Sequence, residues 1–303
     1  MRSAFSKSIL IAAQKDPKVL LLTGDHGYAL FDEFRQHLPS QFINAGIAEQ
    51  NMVGVAAGLA KAGYKPIVYG LSAFVPVRVL EQIKMDVCYE NLPVVFIGDG
   101  AGVVYSSLGS SHQSVEDIAV LRCIPNIHIL SPCDAQEMEY VMNHALDFAA
   151  PVYVRMGKSD VGSVHDKAIS NPIGSLVPVS PGENTNVVFL ATGSMVKTAH
   201  ALAKKLGNFA VWSVPSIKPF DTNHVLELSK TAELIIVLEE HSVNGGLGGL
   251  VAEVVSENSY GAKVIRFGIR DRFSERCGSY EYLLHEHGIN EDALLSKIKL
   301  LLD

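Results

Sequence analysis

Apolar runs rich in β-branched residues alternate with helical patterns along almost the whole chain, and this alternation restricts the fold more than any single motif does. In the first half the runs are VLLLTG, QFINAG, PIVYGL, LPVVFIG, NIHILSP and PVYVRM. They lack the in–out alternation of a half-exposed strand, so they read as strands of a sheet buried on both faces. Helical patterns over 3–15, 48–62, 77–90, 116–123 and 134–148 accompany them. Asp134 stands where an N-cap belongs, ahead of AQEMEYVMNHALDF with its apolar residues three and four apart. Strand–helix alternation of this kind predicts an α/β fold, a doubly wound and mostly parallel sheet with helices on both sides.

Between about 158 and 185 the pattern stops. KSDVGSVHDKAISNPIGSLVPVSPGENTN is rich in Ser, Gly, Pro and Asn and reads as a linker with room for one short strand. The alternation then resumes with NVVFLATG, a helix over 195–207, FAVWSVPSI, a helix over 222–231, LIIVLEE, a helix over 247–258, KVIRFGI and a closing helix over 291–302. Two consecutive doubly wound domains follow, 1–160 and 185–303, joined by a linker over 161–184.

Composition narrows the functions open to such a chain. With 303 residues, 48% hydrophobic and 19% charged, a large core is available and disorder is excluded. A net charge of −7 without a basic run longer than two residues offers no footprint for nucleic acid or an anionic membrane. The N-terminal apolar block ILIAA is too short for a secretory signal or a membrane span. Cys88, Cys123, Cys133 and Cys277 show neither CxxC nor Cys/His metal spacing. They read as free, mostly buried thiols of a cytoplasmic protein, with little support for zinc.

The stretch Phe42–Gly63, FINAGIAEQNMVGVAAGLAKAG, is the first place to look for chemistry. A short strand and a Gly-containing turn lead into a helix of small and apolar residues, and Glu49 at its start is the one acidic group nearby. An N-terminal-turn glutamate commonly faces solvent and complements the helix dipole. Here the flanking residues leave no evident solvated face, so burial is expected, and a buried carboxylate needs a partner. Phe74 and Arg78 follow the strand PIVYGL, where an aromatic ring either joins the core or stacks on a planar ligand. The loop LGSSHQSVED carries His112 and Gln113, fitted either to a substrate or to solvent.

Two further motifs are ambiguous. Gly98-Asp99-Gly100 followed by Asn126 has the spacing of a magnesium-diphosphate signature, but a Gly-Asp-Gly tripeptide is weak by itself. NGGLGG at 244–249, after Glu239-Glu240-His241, lacks the GxGxxG spacing of a dinucleotide site. Its glycines suit either close helix–strand packing or backbone N–H groups brought up to an anion.

Taken together these segments resemble the C-terminal half of transketolases and 1-deoxyxylulose-5-phosphate synthases, especially transketolases encoded as two chains. The matching pieces are INAGIAEQNMVGVAAGLAKAG, PIVYGLSAFVPVRVLEQIKMDV, LPVVFIGDGAGVV, GSSHQSVEDIAVLRCIPNIHILSPCDAQE and PVYVRMGK, then VVFLATGSMV, IKPFD and VLEEHSVNGGLGG. The resemblance implies a pyrimidine-binding domain for thiamine diphosphate followed by a transketolase C-terminal domain. Glu49 falls on the glutamate that bonds the aminopyrimidine N1′ and so favours the imino tautomer, whose nitrogen takes the thiazolium C2 proton to give the ylid. Phe74 falls where the family stacks an aromatic ring on the pyrimidine, with Ile47 and Arg78 beside the cofactor. His112 falls on the histidine that faces the substrate. Asp25, His26, Gln113 and Arg155 are the remaining candidates for substrate contact.

By the same resemblance the metal motif belongs to a separate domain, so the Mg²⁺ ligands and the diphosphate site are expected on a partner chain and none here. An N-terminal transketolase subunit, paired with this chain in a dimer of heterodimers, is the expected partner. The family's Asp-Gly-x-Thr-His loop is replaced by Leu108-Gly109-Ser110-Ser111-His112, and Gly98 and Gly100 stand where basic residues face a substrate phosphate. An unusual sugar or keto acid is therefore expected rather than a phosphorylated acceptor. A non-catalytic stabilising subunit and a decarboxylating synthase are the alternatives. A Rossmann oxidoreductase is disfavoured, because no GxGxxG follows the first strand.

Overall fold

The computed structural model describes residues 1–258 and 261–302. The chain begins with α1 (Arg2–Lys15), β1 (Val19–Thr23), α2 (Asp32–His37), β2 (Phe42–Asn44), α3 (Glu49–Lys61) and β3 (Lys65–Leu71). It continues through α4 (Leu80–Gln82), β4 (Val95–Asp99), α5 (Asp117–Arg122), β5 (His128–Leu130), α6 (Ala135–Asp147) and β6 (Val152–Met156). After β7 (Val177–Ser180) come β8 (Asn184–Ala191), α7 (Met195–Leu206), β9 (Phe209–Ser213), β10 (Ser216–Lys218) and α8 (Thr222–Thr231). The last elements are β11 (Leu234–Ser242), α9 (Leu247–Ser256), β12 (Lys263–Ile269), α10 (Tyr280–Glu286) and α11 (Glu291–Leu302).

Two sheets result, ordered β10-β5-β6-β4-β3-β1-β2 and β12-β11-β8-β9-β7. All neighbours run parallel except β10 beside β5 and β7 beside β9. Fully buried runs such as β1, β4 and β6 are what a sheet covered on both faces requires. One apolar cluster covers the α1 and α6 side of the first sheet, and another the α7 and α11 side of the second. A third joins the remaining faces of both, from Leu22, Val68 and Phe96 to Val188, Ile235 and Val251. Among the described residues no helix is long and apolar enough to cross a membrane.

Several local expectations are corrected. FAVWSVPSI does not form one strand: its first part is β9 of the second sheet, and beyond Pro215 the chain crosses to pair as β10 with the first. Proline has no N–H to donate, so the ladder of β9 stops there. Residues 77–90 are not one regular helix; a 3₁₀ turn and α4 lead into a wide π turn over Ile83–Cys88. The β-branched residues Val77, Val79, Ile83 and Val87 weaken the preference for a regular α-helix. The short helices α2 and α10 were not evident from the residue pattern, and Cys123 and Cys277 are exposed rather than buried. Asp134 does cap α6, accepting a hydrogen bond from Glu137 N–H at 3.0 Å.

A buried polar network crosses the junction between the sheets. Arg155 donates to Asp117 (2.8 Å) and to the carbonyl of Glu240 (2.9 Å). Beside it, His241 donates through Nδ1 to the carbonyl of Ser242 (2.7 Å) and accepts from Ala119 N–H (3.4 Å). That pattern uses the neutral ring, and burial lowers the His241 pKa from 6.5 to about 4. Because the folded value lies below the unfolded one, the stabilisation is complete above pH 6.5 and is lost as pH falls towards 4. Denaturation midpoints measured across that range should fall for the native chain and fall less steeply for His241→Gln.

Candidate active site

Open α/β sheets bind ligands beyond the carboxyl ends of their strands, at the point where strand order reverses. In the first sheet β2 lies on one side of β1 and β3 on the other, so the reversal falls between β1 and β3. The candidates follow these ends in turn: Asp25 and His26 after β1, Ile47 and Glu49 after β2, Phe74 and Arg78 after β3, and His112 in a turn after β4. Gly46, at φ 70°, makes the turn between β2 and α3, a conformation that a side chain would strain.

Glu49 is 5% exposed although it opens a helix. Met52, Val53, Ala56, Ala57 and Ala60 bury the same helix, and the first turn goes in with them. Arg78 donates to Glu49 Oε2 at 3.1 Å, the only hydrogen bond its carboxylate makes among the described residues. The same guanidinium lies 3.9 Å from the centre of the Phe74 ring, a cation–π contact. His112 meets the Phe74 ring edge-on, with centroids 5.4 Å apart. Glu49, Arg78, Phe74 and His112 therefore form one continuous row.

His26 tilts against Tyr69, with ring centroids 6.3 Å apart, and lies close enough to Glu49 to feel its charge. Burial lowers its pKa, opposed by the nearby carboxylates of Glu49, Asp25 and Asp99. Its Nε2 is buried without a partner among the described residues. Asp25 is exposed and accepts from Tyr28 Oη at 2.7 Å. Ile47 is 83% exposed at the rim, with Tyr28 (68%) and Leu108 (51%) also bare.

Two expected substrate contacts lie elsewhere. Arg155 is 2% exposed and committed to Asp117 and the carbonyls of Ser114 and Glu240, so its charge is spent inside the protein. Gln113 turns away from His112 into a cavity of about 450 Å³ between the sheets, where its Oε1 accepts from Ser274 Oγ at 2.7 Å.

The ambiguous motifs also resolve. Asp99 is saturated by Arg2, by Tyr69 Oη at 2.7 Å and by Tyr105 Oη at 3.2 Å, while Asn126 donates to the carbonyl of Cys88. The Gly-Asp-Gly sequence thus anchors α1 rather than offering free ligands. The N–H groups of Leu247 and Gly248 in the glycine run do hold an anion, but it is the chain's own Glu239, at 2.7 and 2.9 Å. A Cβ at Gly246 would lie 2.0 Å from that carboxylate, so the packing reading and the anion reading are both satisfied by one contact.

Residues 1–163 match the transketolase pyrimidine binding domain, and residues 179–294 match the transketolase C-terminal domain. The chain belongs to the transketolase family. It is 35% identical to an apulose-4-phosphate transketolase subunit of Phocaeicola vulgatus, over 97% of this chain and 94% of that protein. It is 32% identical to the 6-deoxy-6-sulfo-D-fructose transketolase subunit of Clostridium sp. strain MSTE9, over 95% of this chain and 90% of that one. A solved structure described as a split gene transketolase, inactive beta4 tetramer, superposes with a TM-score of 0.89 at 33% identity, over 98% of this chain and 96% of that chain. In this transketolase-family chain the Glu49–Arg78–Phe74–His112 row lies wholly within the part that matches the pyrimidine binding domain. Sequence reasoning paired Arg78 with Phe74 but missed its bond to Glu49; that signal lies in the fold, since β2 and β3 flank β1 on opposite sides.

Proposed function

We propose that this chain is the C-terminal, β-type subunit of a two-chain, thiamine diphosphate-dependent transketolase that moves a two-carbon ketol unit between sugar or keto-acid substrates. The observation that carries this reading is the row Glu49–Arg78–Phe74–His112 at the reversal point of the first sheet. A planar aminopyrimidine fits it: Glu49 keeps one oxygen uncommitted, Phe74 is half-buried, and His26 Nε2, after the neighbouring strand β1, is an orphaned polar atom. Thiamine diphosphate supplies the electron sink for breaking and making the carbon–carbon bond. Glu49, withdrawn from water, would hold the pyrimidine nitrogen and exchange a proton with it. Phe74 gives the flat apolar surface for stacking, next to Ile47 at the rim. Arg78 holds Glu49 in place and, being 45% exposed, is free to shift as the site fills. His112 holds or moves a proton at a substrate oxygen, with Asp25 and His26 shaping the same pocket.

Diphosphate and Mg²⁺ fall to an N-terminal transketolase subunit, and two such pairs form a dimer of heterodimers. Bare Ile47, Tyr28 and Leu108 around a catalytic row support this, because exposed apolar groups rimming a site mark a surface that a partner covers. The inactive β tetramer among the solved relatives supports a β chain that needs another subunit. Ile47→Glu should weaken assembly with the partner by about tenfold or more, read by analytical ultracentrifugation, while leaving the melting temperature of the isolated chain unchanged. Arg155, the cation expected to meet a substrate phosphate, is committed internally, which supports an unphosphorylated or unusual acceptor.

The test is a two-carbon transfer assay on this chain mixed with the chain that supplies the diphosphate domain. Activity should require both chains, thiamine diphosphate and Mg²⁺, and phosphopentoses should be poor substrates. Full activity of either chain alone would overturn the two-chain reading, and efficient phosphopentose turnover would overturn the substrate reading.

A further inference from the structure

We infer that Cys133, Glu137 and His165 form a zinc site that fastens the connection between the two sheets to the N-terminus of α6. One ligand atom from each, the Cys133 sulfur, a Glu137 carboxylate oxygen and a His165 ring nitrogen, lies within 4.8 Å of the others. Zinc bonds of about 2.0–2.3 Å in tetrahedral geometry place ligand atoms roughly 3.5 Å apart, so only small side-chain shifts separate the trio from coordination. Cys133 is 1% exposed, Glu137 0% and the His165 side chain 9%, so the three are withdrawn from water together.

The backbone around the trio is tied down. Asp134, the cap of α6, accepts with one oxygen from Glu137 N–H (3.0 Å) and with the other from Val164 N–H (2.9 Å) and His165 N–H (2.8 Å). Glu137 Oε2 accepts from Cys133 N–H (2.7 Å), while Oε1 meets His165 Nε2 at 3.0 Å. These contacts hold the ligands by their main chains and leave the thiol sulfur and the imidazole nitrogen facing a carboxylate. A pre-oriented thiol, imidazole and carboxylate suit zinc rather than Mg²⁺ or Ca²⁺, which prefer oxygen donors alone. The fourth position is left to water.

On binding, the thiol releases its proton to solvent and the thiolate bonds the ion. The hydrogen shared by His165 Nε2 and Glu137 moves to Nδ1 or to solvent, freeing the Nε2 lone pair. With one thiolate and one carboxylate the two positive charges of zinc are matched, and the affinity must fall as pH is lowered. His165 lies in the segment between β6 and β7, and Cys133 packs into the apolar cluster of the second sheet. The ion would therefore secure the junction of the two sheets. The linear spacing concealed it, because His165 lies far along the chain from Cys133.

The experiment uses the untagged full-length chain, stripped with a chelator and titrated with zinc chloride by calorimetry, alongside Cys133→Ser and His165→Gln. Expected are about one zinc per chain, a raised melting temperature on loading, no response to Mg²⁺, and at least about tenfold weaker binding in each variant. Cobalt(II) loading of the native chain should give a thiolate-to-metal charge-transfer band, a readout that does not depend on the variants folding. Failure to bind zinc stoichiometrically, absence of that band, or binding unchanged in both variants would overturn the site.

Discussion

Glu49→Gln should lower the turnover of the reconstituted enzyme by about 10²–10⁴-fold while leaving its melting temperature nearly unchanged. The loss follows from what the amide cannot do. Glutamine keeps the shape and one acceptor oxygen, so Arg78 retains a partner, but its amide N–H can only donate a hydrogen bond to a ring nitrogen and cannot give up or take back the proton. The small stability effect follows from Arg78, which is 45% exposed; a half-solvated ion pair contributes little to folding. The two consequences are measured separately, by kcat at saturating cofactor and by thermal unfolding of the isolated chain. A variant that melts normally and turns over at the native rate would remove Glu49 from the chemistry.

Arg155→Met should behave in the opposite way, costing about 3–5 kcal/mol of stability. Arg155 and Asp117 are 2% and 0% exposed, and their bond lies where the two sheets meet. Removing the guanidinium leaves the Asp117 carboxylate buried with the hydroxyls of Tyr153 and Ser72 as its remaining partners. Adding Asp117→Leu should restore part of the loss, because the stranded charge goes with it. Urea unfolding of the single and double variants checks this. An arginine that touched substrate would instead raise KM and leave the unfolding midpoint in place.

These two substitutions divide what was legible in the sequence from what was not. Glu49 stood out because one acidic group among small apolar residues is legible locally, and its burial is borne out. Parallel-strand runs and the Asp134 cap were legible for the same reason: each rests on neighbours within a few residues. The partners of Arg155 and Gln113 were not legible, because a residue's position beside a strand end does not state which group its side chain will meet. Their partners are distant in sequence: Arg155 meets Asp117 within the first part of the chain and the Glu240 carbonyl across the junction, and Gln113 meets Ser274. The crossing of β10 was hidden likewise, since a three-residue antiparallel strand has no periodicity of its own. Asp99 shows the same limit from the other side: its motif suggested metal, whereas Arg2, Tyr69 and Tyr105 supply its partners from three separate places.

The claim at the centre is that Glu49 and Phe74 make half of a cofactor site whose other half is on a different chain. Calorimetric titration with thiamine diphosphate in the presence of Mg²⁺ tests it directly, on this chain alone and on its complex with the subunit that carries the diphosphate domain. The isolated chain should give no saturable heat, and the complex should bind one cofactor per heterodimer, with affinity lowered in Phe74→Ala. Tight stoichiometric binding by the isolated chain would contradict it.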